Sequence, residues 1–234
     1  MTQPQWQRTT VASPHLPSPV TVIAGKHIPY FANANRFQTL NIYLPAVEST
    51  SKLIGTTITS IPSFDSSSPL PRTLVHIHGG AWRDSNLTAD SIEAAVAHAF
   101  AQSNERLALT AIVALNYTIS PTQHPSFQPY DPVESNHADP SREAVHPMHI
   151  RDVLFGFALL RSFGLTDGSY ILSGHSAGAC LSCQVTLQAP GHYGLDDLQN
   201  PPRPAALIGM NGLYDLEQLV HGLGPAHSQL KDGK

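Results

Sequence analysis

Ser176 sits in the run Gly174-His175-Ser176-Ala177-Gly178, with a glycine two residues away on either side. A nucleophile held on a tight strand-to-helix turn needs small neighbours there, because the backbone is strained and side chains would collide. Such a turn pushes the hydroxyl into the open and aims the N–H of the next residue, Ala177, at the oxygen of a bound carbonyl. The helix that follows adds the positive end of its dipole. A second run, His78-Gly79-Gly80-Ala81-Trp82, directly follows the apolar stretch Thr73-Leu74-Val75-His76-Ile77. Paired glycines let a loop turn its N–H groups inward, so Gly80 and Ala81 are the candidate donors of an oxyanion hole and Gly79 gives the loop its shape. Negative charge develops on a carbonyl oxygen only as the nucleophile attacks, and losing one such donor costs about 3 kcal/mol of barrier. The two runs together predict acyl transfer through Ser176.

Other reactive side chains read more plainly. His78 is expected to orient the loop rather than act as a base. His76 and His78 share one face of a strand, but no H-x-x-x-H or carboxylate spacing supports a metal, and none is expected. Cys180 and Cys183 form C-x-x-C inside the helix after Ser176 without a second pair, which reads as packing thiols. Arg83, Asp84 and Asp152 are expected to be loop or helix-surface charges.

The elements that must position these residues follow from periodicity. Apolar runs at 20–24, 39–44, 73–78, 111–115, 170–172 and 205–210 read as strands. Residues 89–102 put Ile92, Val96, Ala99 and Phe100 on one helical face. A helix opened by Pro147 puts Ile150, Val153, Leu154, Phe157 and Leu160 on another and ends at Gly164. Residues 1–19, rich in Pro, Ser and Thr, read as a loose arm; 46–72 and 118–147 read as loop insertions in one domain over 20–234. Alternating strands and helices predict an α/β domain with a mainly parallel sheet.

Composition excludes several classes. Of 234 residues, 41% are hydrophobic and 13% charged, and 13 Lys+Arg against 17 Asp+Glu leave a net charge of −4. The basic surplus that neutralises phosphates is absent, so no nucleic-acid partner is expected. No apolar run approaches the roughly 18–20 residues that span a bilayer, so no membrane segment is expected either. Without a secretory signal, and with two cysteines, the expected location is cytoplasmic or nuclear.

These motifs, in this order and about a hundred residues apart, resemble the α/β-hydrolase fold. Within it they look like the branch that holds hormone-sensitive-lipase-type esterases and kynurenine formamidases. His78-Gly79-Gly80-Ala81-Trp82 is similar to the formamidases' H-G-G-x-W, where lipases of the branch usually carry a third glycine. Asn116-Tyr117-Thr118-Ile119-Ser120-Pro121 is similar to their Tyr-x-Leu-Ser-Pro segment. His146-Pro147-x-His149-Ile150-x-Asp152-Val153-Leu154 resembles their helix before the nucleophile. The resemblance implies hydrolysis of a small aryl formamide, N-formyl-L-kynurenine, with Trp82 lining the pocket and no cofactor; a homodimer is left open. In this fold the acid and the His follow the nucleophile on later strands, yet the sequence given ends at Lys234. The expectation is a sheet without its C-terminal strands. Asp215 with His221 or His227 stands in the right chain order as a substitute pair.

Overall fold

The computed structural model describes residues 3–62, 71–101 and 109–222. Among these residues seven strands form one sheet in the order β1-β2-β3-β5-β4-β6-β7. They are β1 (Gln7–Val11), β2 (Val20–Pro29), β3 (Thr39–Pro45), β4 (Thr73–Ile77), β5 (Ala111–Leu115), β6 (Tyr170–His175) and β7 (Ala206–Met210). The first three strands pair antiparallel with one another and onto β5, while β5, β4, β6 and β7 are parallel. Among the described residues five α-helices accompany them: a single turn α1 (Glu48–Ser51), then α2 (Glu93–Ala101), α3 (Met148–Ser162), α4 (Ala177–Leu187) and α5 (Leu216–Gly222).

The sheet is packed on both faces, and the residue alternation of its strands shows why. Ile23, Ile42, Leu44, Val75, Val113, Leu115 and Leu172 join Phe157 of α3 and Leu181 of α4 in the larger core. Val22, Ala24, Tyr43, Ile112 and Ala114 point the other way, toward Val96 and Ala97 of α2. All five residues of β5 are buried, the pattern of a central strand covered by helices on each side. The five apolar positions expected on the face of α3 are buried without exception. Pro147 stands one residue outside that helix, as its N-cap, and Gly164 follows the last turn with φ 105°, where only glycine is unstrained.

Two expectations are corrected. The stretch 1–19 is not a loose arm: β1 runs alongside β2, and Trp6, 2% exposed, anchors it in the larger core. The Thr-Thr-Val run has the β-branched residues a strand favours, and burying an indole outweighs the polar composition around it. Asp152 is not a surface charge either. It is fully buried on the inward face of α3, where its carboxylate accepts hydrogen bonds from Gln38 Nε2 (2.8 Å) and the Thr118 N–H (2.9 Å). Among the described residues β7 is an edge strand, and Ile208 and Met210 are 47% and 42% exposed.

The chain passes from β4 to β5 on one side and then returns to place β6 on the other side of β4. That reversal is a topological switch point at the carboxyl ends of β4 and β6, and open α/β sheets bind ligands in the crevice at such a point. The two glycine-rich runs lie there.

Candidate active site

Ser176 follows β6 directly and caps α4 with φ 51° and ψ −118°, a left-handed conformation that a side-chain-bearing residue adopts only under constraint. Its N–H donates to the Met210 carbonyl at the end of β7 (2.8 Å), and its own carbonyl accepts from the N–H groups of Ala179 and Cys180. The flanking glycines are sterically obligatory. A Cβ on Gly174 would stand 2.3 Å from the Gly178 carbonyl oxygen, and one on Gly178 only 2.1 Å from the Ile77 carbonyl oxygen. The first turn of α4 therefore rests against the end of β4, which is why the G-x-S-x-G spacing survives folding as a local rule.

The loop after β4 meets this turn at Gly79. A Cβ there would lie 3.1 Å from Ser176 Cβ and 2.9 Å from His175 Nδ1. Gly80 has φ 102°, and Ala81 and Trp82 follow with φ 49° and 60°. Three successive left-handed residues are costly, at about 1–2 kcal/mol for each non-glycine, and they curl the chain into a tight hook. The Gly80 carbonyl closes the hook by accepting from the N–H groups of Arg83 and Asp84, both at 2.8 Å. Asp84 serves the loop, its Oδ1 accepting from the Asn86 backbone and side chain (2.9 Å each). Trp82 packs its side chain against the larger core, half-buried, and its carbonyl accepts from the Ser120 N–H at 2.7 Å. Ala177 is fully buried at the first position of α4.

His78, 3% exposed, directs Nδ1 at the Gly79 carbonyl (2.8 Å) and stacks its ring on Tyr117 with centroids 4.5 Å apart. A carbonyl only accepts, so Nδ1 carries the proton, and Nε2 is buried without a partner. Burial pushes the imidazole down to about 4, against the opposing pull of the Gly79 carbonyl and Asp84, so the ring is neutral at pH 7. His76 and His149 are also lowered to about 4, chiefly by burial. His76 Nδ1 lies 2.9 Å from Ser173 Oγ, and His149 Nε2 lies 3.1 Å from Ser120 Oγ. Cys180 is buried and Cys183 half-buried; both are free thiols whose pKa burial raises, the state of packing groups.

The segment after β5 underlies the hook, and sequence reasoning missed its work. Asn116 accepts from the Ala89 N–H and donates to Thr39 Oγ1, Thr118 is held by Asp152, and Ser120 reaches Trp82. Tyr117, fully buried, donates its hydroxyl to the Gly79 carbonyl at 2.9 Å, with the His78 carbonyl at 3.2 Å.

The substitute acid and base do not assemble among the described residues. Asp215 Oδ1 accepts from the Gln218 N–H (2.8 Å), capping α5, and no hydrogen bond joins it to His221, which is exposed. His227 lies outside the described residues. No imidazole or carboxylate among those described hydrogen-bonds to the Ser176 hydroxyl.

A mixed sheet with a parallel centre, carrying an elbow serine beside a glycine-rich loop, matches the α/β-hydrolase fold, and the solved structures agree. Esterase B from Lactobacillus rhamnosis matches 89% of this chain over 54% of its own, with a TM-score of 0.56 at 16% identity. Tannase from Lactobacillus plantarum matches 91% over 43% of its own, with a TM-score of 0.51 at 14% identity. Sequence narrows the relationship further. The chain is 32% identical over 195 residues to a kynurenine formamidase-like hydrolase of Fusarium equiseti, covering 82% of this chain and 57% of that one. It is 31% identical over 151 residues to a kynurenine formamidase of Aspergillus versicolor, covering 64% and 46%. The chain is thus a relative of the kynurenine formamidases and spans about half the length of these curated relatives. No family model matches it.

Proposed function

We propose that Ser176 is the nucleophile of a hydrolase that converts N-formyl-L-kynurenine to L-kynurenine and formate. Its hydroxyl oxygen attacks the formyl carbon while the proton passes to a base. The carbonyl oxygen becomes an oxyanion facing the N–H groups of Gly80, Ala81 and Ala177. Collapse breaks the C–N bond, the arylamine takes a proton and leaves, and water releases formate from the formyl-serine. A formyl group carries only hydrogen beyond its carbonyl, so it suits a crevice in which the hook and the serine turn touch. The observation that carries the reading is that contact: Gly79 lies against Ser176 with no room for a side chain between them. The names of the curated relatives support the formamide substrate.

A second reading, a protein that binds through the same crevice without catalysis, is favoured by one observation. Among the described residues no imidazole reaches Ser176. Side-by-side turnover of N-formyl-L-kynurenine and of a short acyl ester, by the chain and by Ser176→Ala, separates the readings. Formamide hydrolysis that falls below a few per cent in the variant supports the first. Serine-dependent turnover of the ester alone points to a carboxylesterase. Binding of formyl-kynurenine with no serine-dependent turnover of either supports the second reading.

A further inference from the structure

We infer that Tyr117 is a positioning residue that aims the Gly80 N–H as an oxyanion donor. This rests on the proposal that Gly80 supplies such a donor. The peptide joining two adjacent glycines is the softest joint in the hook, because neither residue has a Cβ to prevent the plane from flipping. In a trans peptide the carbonyl of one residue and the N–H of the next point in opposite directions, and Gly79–Gly80 is trans. Whatever fixes the Gly79 oxygen therefore fixes the direction of the Gly80 N–H. Two donors converge on that oxygen from beneath: His78 Nδ1 at 2.8 Å and the Tyr117 hydroxyl at 2.9 Å.

The clamp is rigid. Tyr117 is fully buried, stacked on His78 at an interplanar angle of 12°, and met edge-on by His149 at 6.1 Å. With the Gly79 carbonyl drawn toward buried Tyr117 and His78, the Gly80 N–H faces the opposite way. His78 alone would leave a single hydrogen bond holding the plane. Tyr117 adds the second and braces the first through its ring. His78 Nδ1 donates to the Gly79 carbonyl whether the ring is neutral or protonated, because a proton gained goes to Nε2.

The test uses phenylboronic acid, which adds to a serine oxygen and carries a tetrahedral boron-bound oxygen where the oxyanion would sit. Boron NMR reports the change from trigonal to tetrahedral. The adduct should form on the chain and be absent from Ser176→Ala. In Tyr117→Phe, which keeps the ring and its stacking, boronate affinity should fall about tenfold or more. Affinity for L-kynurenine, which places no adduct oxygen in the oxyanion position, should change by less than about twofold. Unchanged boronate affinity overturns the inference, and an equal loss for both ligands makes Tyr117 a wall of the pocket instead. If the chain forms no adduct, the Ser176 reading fails, and the amide spectrum of the free protein decides the Tyr117 inference separately. Because phenylalanine preserves the ring current, Tyr117→Phe should then shift or broaden the Gly80 amide resonance. A Gly80 resonance identical to that of the parent overturns the inference.

Discussion

Gly178→Ala tests the packing that makes the serine turn possible. The added methyl would stand 2.1 Å from the Ile77 oxygen, 2.4 Å from the His78 oxygen and 2.6 Å from the Ile77 carbonyl carbon. Each distance is roughly 1 Å inside ordinary contact, and overpacking of this kind costs about 1–3 kcal/mol where neighbours can yield. Here they cannot yield easily, because Ile77 is paired with Gly174 in the β4–β6 ladder. A strain of about 4 kcal/mol, lessened by about 1 kcal/mol of gained helix propensity, leaves a net loss of about 3 kcal/mol. For a domain of this size that is roughly 6–12 °C in melting temperature. The assay is a thermal melt of Gly178→Ala beside Gly222→Ala, whose methyl meets nothing within 4 Å and whose melt should barely move. If the two variants melt together, α4 does not rest on β4 as described, and the account of the turn is wrong.

Other outcomes follow from the same contacts. Gly80→Val puts a β-branched residue at φ 102° with its Cβ 3.1 Å from Asp84 Cβ, so turnover of formyl-kynurenine should drop about a hundredfold while substrate binding changes far less. His76, His78 and His149, each lowered to about 4, bind protons more tightly unfolded than folded. The stability they contribute is complete above about 6.5 and is lost as the pH falls toward 4. Each is worth on the order of 3 kcal/mol, so urea midpoints should fall steeply between pH 6.5 and 4, and a flat profile would mean the three rings are not buried. Asp152, raised by burial, runs the other way in the acid range, but it is one group against three. Asp152→Ala strips Gln38 and the Thr118 N–H of their acceptor and should lower stability by about 2 kcal/mol, read as a shift in the urea midpoint at constant slope.

Both glycine-rich runs were legible in the sequence because their glycines answer local steric needs. Gly174, Gly178 and Gly79 each stand where a Cβ would strike backbone or a neighbouring side chain, and that demand shows as spacing. The helical faces were legible for the same reason: Ile150, Val153, Leu154, Phe157 and Leu160 recur with the helical period. What stayed hidden depends on partners far along the chain. Tyr117 reads as the polar end of a strand, and its purpose emerges only when Gly79, 38 residues away, folds over it. Asp152 breaks the apolar face of α3 in sequence, and only Gln38 and Thr118 make its burial tolerable. Trp6 hides β1 in a polar stretch because one buried indole, not a repeated pattern, anchors it.

The central claim is that Ser176 carries the formyl group during turnover. Its most direct test mixes the chain with N-formyl-L-kynurenine, quenches in acid within the first turnover, and maps peptide masses. The account predicts the added mass of one formyl group on the peptide containing Ser176, and none in Ser176→Ala. Formylation at another residue, or kynurenine released by Ser176→Ala at the parent rate, would contradict it.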